Sequence, residues 1–126
     1  MAGSETTATT MEWVMLELIR NPTVLEKVQR EVREALGKTE TMLVSEEKMT
    51  TSTMSYFQMV IKETLWLHPP GPLLLPRENR EKCQEMGYEV PAKMTVMVNA
   101  WVIGRDSKYW EDPEEFKSER FDKLPA

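Results

Sequence analysis

Every proline of this 126-residue chain except Pro22 stands at position 69 or later. Proline locks φ, removes a hydrogen-bond donor and costs a helix interior about 3 kcal/mol. Long helices are therefore confined to the first half. The second half must run as loops, turns and short strands. The expected class is mainly α with a small β-hairpin region. No internal repeat, low-complexity tract or clear boundary divides the sequence, so residues 1–126 read as a single piece.

Residues 2–20 are predicted to form the first helix. Met11, Val14, Met15, Leu18 and Ile19 recur there at helical spacing. Trp13 and Leu16 widen that face, which predicts burial over much of the girth. Asn21 is placed as the N-cap of a second helix, and Pro22 takes the first position, where its missing N–H costs nothing. Leu25, Val28, Val32 and Ala35 form the stripe of that helix, and Gly37 is its expected C-cap. Residues 38–54 are polar and irregular, with a short turn of helix expected near Glu46 to Met49. Ser55 is expected to cap a third helix, Tyr56 to Leu67, with Phe57, Val60, Ile61, Thr64 and Leu65 packing around it. That helix must stop at His68-Pro69-Pro70, because proline excludes the α region for the residue before it.

Two later segments carry weaker patterns. Within residues 87–99, Tyr88-Glu89-Val90 and then Val96 and Val98 alternate around Pro91-Ala92-Lys93, which is a hairpin signal. Residues 109–126 mix aromatics with Asp, Pro and Glu and predict a packed, irregular meander.

The formal net charge is −5, with no basic stripe, which argues against a nucleic-acid partner. Cys83 is the only cysteine, so an internal disulfide and a multi-thiolate zinc site are both excluded. His68 is the only histidine, so any imidazole chemistry passes through it. No metal site is expected. The longest apolar runs, Trp13 to Leu16 and Ala100 to Ile103, are four residues each, whereas a membrane-spanning helix needs about 20 residues. The first residues lack the basic-then-apolar pattern of a signal peptide. No membrane anchor is expected in this chain, which alone would be cytoplasmic or of unassigned location. The 10 methionines are expected to fill the core.

A few side chains stand out as candidates for chemistry. Gly3 leaves the first helix open to close approach, and Glu5 beside Thr6 places an acid next to a hydroxyl. Such a pair either relays protons in a pocket or simply caps a helix start. Glu63 lies amid apolar neighbours and is either buried with a cation or solvated at an edge. Arg77 follows a Leu-rich run and suits an anionic ligand group, or is an ordinary surface arginine. His68 fits a structural role at a helix end better than a metal ligand. Cys83, between Lys82 and Gln84, reads as an inert or mildly exposed thiol.

Together these segments resemble the cytochrome P-450 monooxygenases, most closely the plant microsomal branch. Ala2-Gly3-Ser4-Glu5-Thr6-Thr7 resembles the oxygen-activating helix. Lys62-Glu63-Thr64-Leu65 followed by Leu67-His68-Pro69-Pro70 is similar to the Glu-x-x-Arg helix and its exit. Pro76-Arg77 is similar to the strand entry whose arginine meets a haem propionate. Asn99-Ala100-Trp101, Gly104-Arg105-Asp106, Tyr109-Trp110 and Glu119-Arg120-Phe121 resemble the run into the meander. The fold implied is a partial cytochrome P-450 fold, from oxygen-activating helix through meander.

The resemblance implies haem as cofactor and oxidation of a small apolar molecule with O₂. It also implies electrons from an NADPH-dependent reductase and, for the family, the endoplasmic reticulum membrane. It assigns proton delivery to Glu5 and Thr6, and the haem propionate region to Arg77 with His68 nearby. Glu63 and Arg120 become structural supports of the core. Trp66 stands where the motif has arginine, and Ser118 where proline is usual, so Glu63 is expected to have Arg120 as its only partner. Cys83 lacks the surroundings of the family's haem-ligating cysteine. The expectation is a fragment that is inactive alone and does not hold haem stably. The alternative is a small non-catalytic helical interaction module, or a truncated, pseudogene-like product.

Overall fold

The computed structural model describes residues 2–37 and 54–122. The turn expected near Glu46 to Met49 lies outside the described residues. Two compact units separate: the residues up to Pro70 together with those from Glu114 onward, and Gly71–Pro113.

The first unit holds helices α1 (Ala2–Arg20), α2 (Pro22–Gly37) and α3 (Ser55–Leu67), and a short 3₁₀ turn, Ser118–Phe121. The three helices pack on one another, and the 3₁₀ turn packs on α3. Val14 and Leu18 of α1, Val28 of α2 and Val60 of α3 form the buried core, flanked by Leu25, Phe57 and Phe116. Fully burying such an aliphatic side chain is worth about 1.5–3 kcal/mol. On α3 the buried residues are Val60, Glu63, Thr64 and Leu67, one helical face.

Two expectations about apolar faces need correction. The α1 stripe is split: Val14 and Leu18 are buried, but Met11, Met15 and Ile19 are exposed by 61%, 55% and 65%. Val14 and Leu18 are the α1 side chains that enter the core shared with α2 and α3. Leu65 is likewise exposed, because it points off the buried face of α3. The methionines do not fill the core either. Met54 is buried, whereas Met11, Met15, Met86, Met94 and Met97 are exposed.

The helix ends also differ from expectation. The Asn21 carbonyl accepts from the N–H groups of Val24 and Leu25, as the start of α2 requires. Its side-chain amide, however, donates back to the Glu17 carbonyl at 2.9 Å and closes the end of α1. Gly37 is the last residue of α2 rather than the residue after it. Position 54, not Ser55, precedes α3, and its Met54 makes no side-chain capping bond. The cap comes from Glu31 of α2 instead. One carboxylate oxygen accepts from the Tyr56 N–H at 2.9 Å and the other from the Phe57 N–H at 2.8 Å. A carboxylate at a helix N-terminus satisfies orphan donors and opposes the helix dipole. Glu31→Ala should destabilise this unit by about 2 kcal/mol, read from urea unfolding. As expected, α3 ends at Leu67, and the His68 N–H donates to the Thr64 carbonyl at 2.8 Å.

The second unit has two short antiparallel ladders. Strand β1 (Arg77–Glu78) pairs with β4 (Thr95–Val96), and β2 (Cys83–Glu85) pairs with β3 (Tyr88–Val90). The expected pairing of residues 88–90 with 96–98 is therefore corrected. Tyr88–Val90 folds back on Cys83–Glu85 through Met86-Gly87, both with positive φ, 49° and 86°. That is the two-residue turn whose twist suits a hairpin. Gly87→Val should weaken this hairpin by about 1–2 kcal/mol, because a β-branched residue resists positive φ. Faster amide exchange across β2 and β3 checks it. Asn79 organises the unit by donating through its side chain to the carbonyls of Val90 and Pro91. Helix α4 (Ala100–Ile103) is capped by Asn99, whose side-chain oxygen accepts from the Val102 N–H at 3.1 Å. Among the described residues no helix is long and apolar enough to cross a membrane.

Candidate functional site

Glu63 is the most deeply buried charged group described, with no exposed surface. The choice left open by the sequence resolves to the buried reading. Its Oε1 accepts from the Lys117 backbone N–H at 2.8 Å. The Arg120 Nε lies 3.3 Å from Oε1 and 3.2 Å from Oε2. Arg120 is therefore not the only partner, which corrects the sequence expectation. The missed donor is a main-chain group, and no side-chain motif announces it. Arg120 Nη2 also donates to the Glu115 carbonyl at 3.0 Å, which ties the guanidinium to the approach of the 3₁₀ turn. Burial raises the Glu63 carboxyl above the ordinary carboxylate value, opposed first by the Lys117 N–H and then by Arg120.

Trp66 follows Glu63 by one helical turn. Its ring lies 4.3 Å from the Arg120 guanidinium carbon. The three side chains are thus brought together.

Beside them, Ser118 is fully buried, with its hydroxyl oxygen 3.0 Å from both the Tyr56 hydroxyl and Glu119 Oε2. The Tyr56 hydroxyl donates to Glu119 Oε1 at 3.3 Å, and the Lys27 ammonium donates to the same oxygen at 2.9 Å. Lys27 holds the Glu119 carboxyl below its usual value, and Glu119 in turn raises Lys27. A proline at position 118 would supply no hydroxyl to this chain of bonds.

His68 is engaged elsewhere in the unit. Its Nε2 lies 2.9 Å from Oε1 of buried Glu17, and its ring stacks on Trp13 at 3.8 Å, nearly parallel. Glu17 is a buried carboxylate that sequence reasoning missed, because its partners, apart from Asn21 and Arg20, lie far along the chain.

Glu5 and Thr6 stand on the exposed N-terminal turns of α1. The Thr6 hydroxyl lies 3.4 Å from the Gly3 carbonyl, and the Thr7 hydroxyl donates to the same oxygen at 2.8 Å. A Cβ built on Gly3 meets nothing within 4 Å, so this backbone is open to approach. In the second unit, Arg77 is exposed on β1 and Cys83 is exposed on β2. Among the described residues no three of His, Cys, Asp or Glu are grouped to hold a metal ion.

The model of the family Cytochrome P450 matches residues 1–124. The chain is 54% identical over 120 residues to tabersonine 16-hydroxylase 1 of Catharanthus roseus, covering 95% of this chain and 23% of that protein. It is 52% identical over 122 residues to zealexin A1 synthase of Zea mays, covering 96% and 24%. It is 50% identical over 121 residues to premnaspirodiene oxygenase of Hyoscyamus muticus, covering 96% and 23%. A solved zebrafish cytochrome P450 with progesterone superposes with a TM-score of 0.83 at 33% identity, covering 97% of this chain and 28% of that one. The chain thus spans about a quarter of the length of the relatives it matches.

Proposed function

This chain belongs to the cytochrome P450 family, and from that premise we propose that it supplies part of a haem-dependent monooxygenase. The whole protein oxidises a small apolar molecule with O₂ and electrons from an NADPH-dependent reductase, at the endoplasmic reticulum membrane. The observation that carries the reading is the buried Glu63–Arg120 pair joining α3 to the 3₁₀ turn, in a chain about half identical to named hydroxylases and oxygenases.

The residues present fit part of the haem environment. Arg77 offers an exposed guanidinium on β1, chemically suited to a propionate carboxylate. His68, given to that region by the resemblance alone, has its Nε2 engaged by Glu17 and its ring stacked on Trp13. Cys83, the one thiol in the sequence, lies exposed on a three-residue strand and is not assigned as the thiolate that would hold the iron. The chain alone is therefore not expected to hold haem stably or to catalyse. Haem bound with a thiolate ligand supplies the oxygen-activating chemistry.

The chain's own contribution is proton handling and rigidity. The Thr6 hydroxyl lies 3.4 Å from the Gly3 carbonyl on an exposed turn, and the resemblance assigns it the delivery of a proton to the ligand. Glu5, exposed beside it, exchanges protons with solvent and resupplies that hydroxyl. Glu63 and Arg120 hold α3 against the turn and touch no substrate.

Exposed Met11, Met15 and Ile19 favour a second reading, a non-catalytic helical interaction module. One experiment separates the two. This chain replaces the corresponding segment of the Hyoscyamus muticus oxygenase, and product formation from that enzyme's own substrate is measured. Turnover supports the monooxygenase reading. A folded, haem-loaded hybrid without turnover contradicts it and favours the interaction module.

A further inference from the structure

Arg120 meets an unusual pair of partners. Its Nε faces both oxygens of the fully buried Glu63, while its guanidinium carbon stands 4.3 Å from the Trp66 ring. Its side chain is only 9% exposed, so water competes little with either contact. Glu63 and Trp66 lie three positions apart on α3, where side chains become neighbours along one helix face. A flexible arginine arriving from the 3₁₀ turn therefore meets a carboxylate and a π face in a single docking position. A guanidinium over a tryptophan face is attracted by the ring quadrupole, most strongly when desolvated. The planar guanidinium can stack and keep its in-plane N–H groups on the carboxylate, a combination that lysine cannot reproduce.

We propose that Trp66 is a positioning residue: its π face, rather than its bulk, holds the Arg120 guanidinium on Glu63. The lock between α3 and the 3₁₀ turn is then built from one anion, one cation and one aromatic face. The group paired with the carboxylate stays a single arginine. Trp66 sets its orientation and contributes no charge.

The test alters the π face while sparing the volume. A tetrafluorinated tryptophan placed at position 66 alone keeps the ring nearly the same size and removes most of its negative face. The expected result is a folding equilibrium constant about thirtyfold smaller, the value of a desolvated cation–π contact. The Arg120 Nε–H resonance should shift and broaden, and the Glu63 carboxyl should titrate at a higher pH. Trp66→Phe, which keeps an aromatic face, should retain most of the wild-type Arg120 signal, and Trp66→Leu should lose it. If Trp66→Leu fails to fold, the fluorinated chain and Trp66→Phe still decide. An unchanged Arg120 resonance and folding constant on fluorination would overturn the proposal and leave Trp66 as packing alone. Equal losses in Trp66→Phe and Trp66→Leu, with Arg120 unmoved in both, would overturn it as well.

Discussion

Arg120→Met should destabilise the first unit by about 3–5 kcal/mol, since it leaves a buried carboxylate without its cation. Glu63 has no exposed surface, so solvent does not replace the lost guanidinium. The Lys117 N–H remains as one donor to Oε1 and moderates the loss. The penalty should depend on pH in a defined direction. Burial already raises the Glu63 carboxyl, and losing Arg120 removes an influence that lowers it. A carboxyl with a raised folded value takes up a proton more readily folded than unfolded. Its favourable contribution is then full below the ordinary carboxylate value and fades as pH rises through the raised one. The variant should therefore lose least in mild acid and most at neutral and alkaline pH. Urea unfolding at a series of pH values checks both the size and the slope. Glu63→Gln in the Arg120→Met background should recover part of the loss at neutral pH, because no buried charge remains.

Thr6→Val should lower product formation about a hundredfold in the oxygenase hybrid, the low end of what a positioned proton donor supplies. Thr6 is exposed on α1 and is not a member of the buried core. Removing its hydroxyl should leave folding and haem content unchanged while turnover falls. Thr6→Ser keeps the hydroxyl and should restore much of the rate. Glu5→Gln should reduce turnover less, because solvent water reaches the same turn. Substrate oxidised per NADPH consumed, measured in all three variants, separates a proton-delivery role from a structural one. Equal coupling in Thr6→Val and the parent hybrid would remove Thr6 from the chemistry.

The positions of the helices were legible in the sequence because proline punctuates them. Pro22 starts α2, and Pro69 excludes α3 from going further, as found. The faces were not legible. Met11, Met15 and Ile19 are as apolar as Val14 and Leu18, and only the placement of α2 and α3 decides which side is covered. The cap of α3 was hidden for a related reason. Glu31 lies 25 positions before Tyr56, and no local motif links them. The hairpin pairing failed because alternation at 88–90 suits either neighbour. The Met86-Gly87 turn settles it, and a lone glycine is a weak signal.

The buried pair was half legible. A motif carries Glu63 and Arg120, but the second donor to Glu63 is the Lys117 main chain, and the aromatic contact of Trp66 looks like a defect until Arg120 is seen over it. His68 pairs through Nε2 with Glu17, 51 positions away, and that partner left no trace in the pattern.

The most direct measurement of the central claim is the reduced, carbon-monoxide-bound spectrum of this chain with added haem, beside the same spectrum of the oxygenase hybrid. The account predicts a thiolate-type Soret band from the hybrid and none from the chain alone. A thiolate-type band from the chain alone, abolished by Cys83→Ala, would contradict it, and so would a folded hybrid that shows no such band.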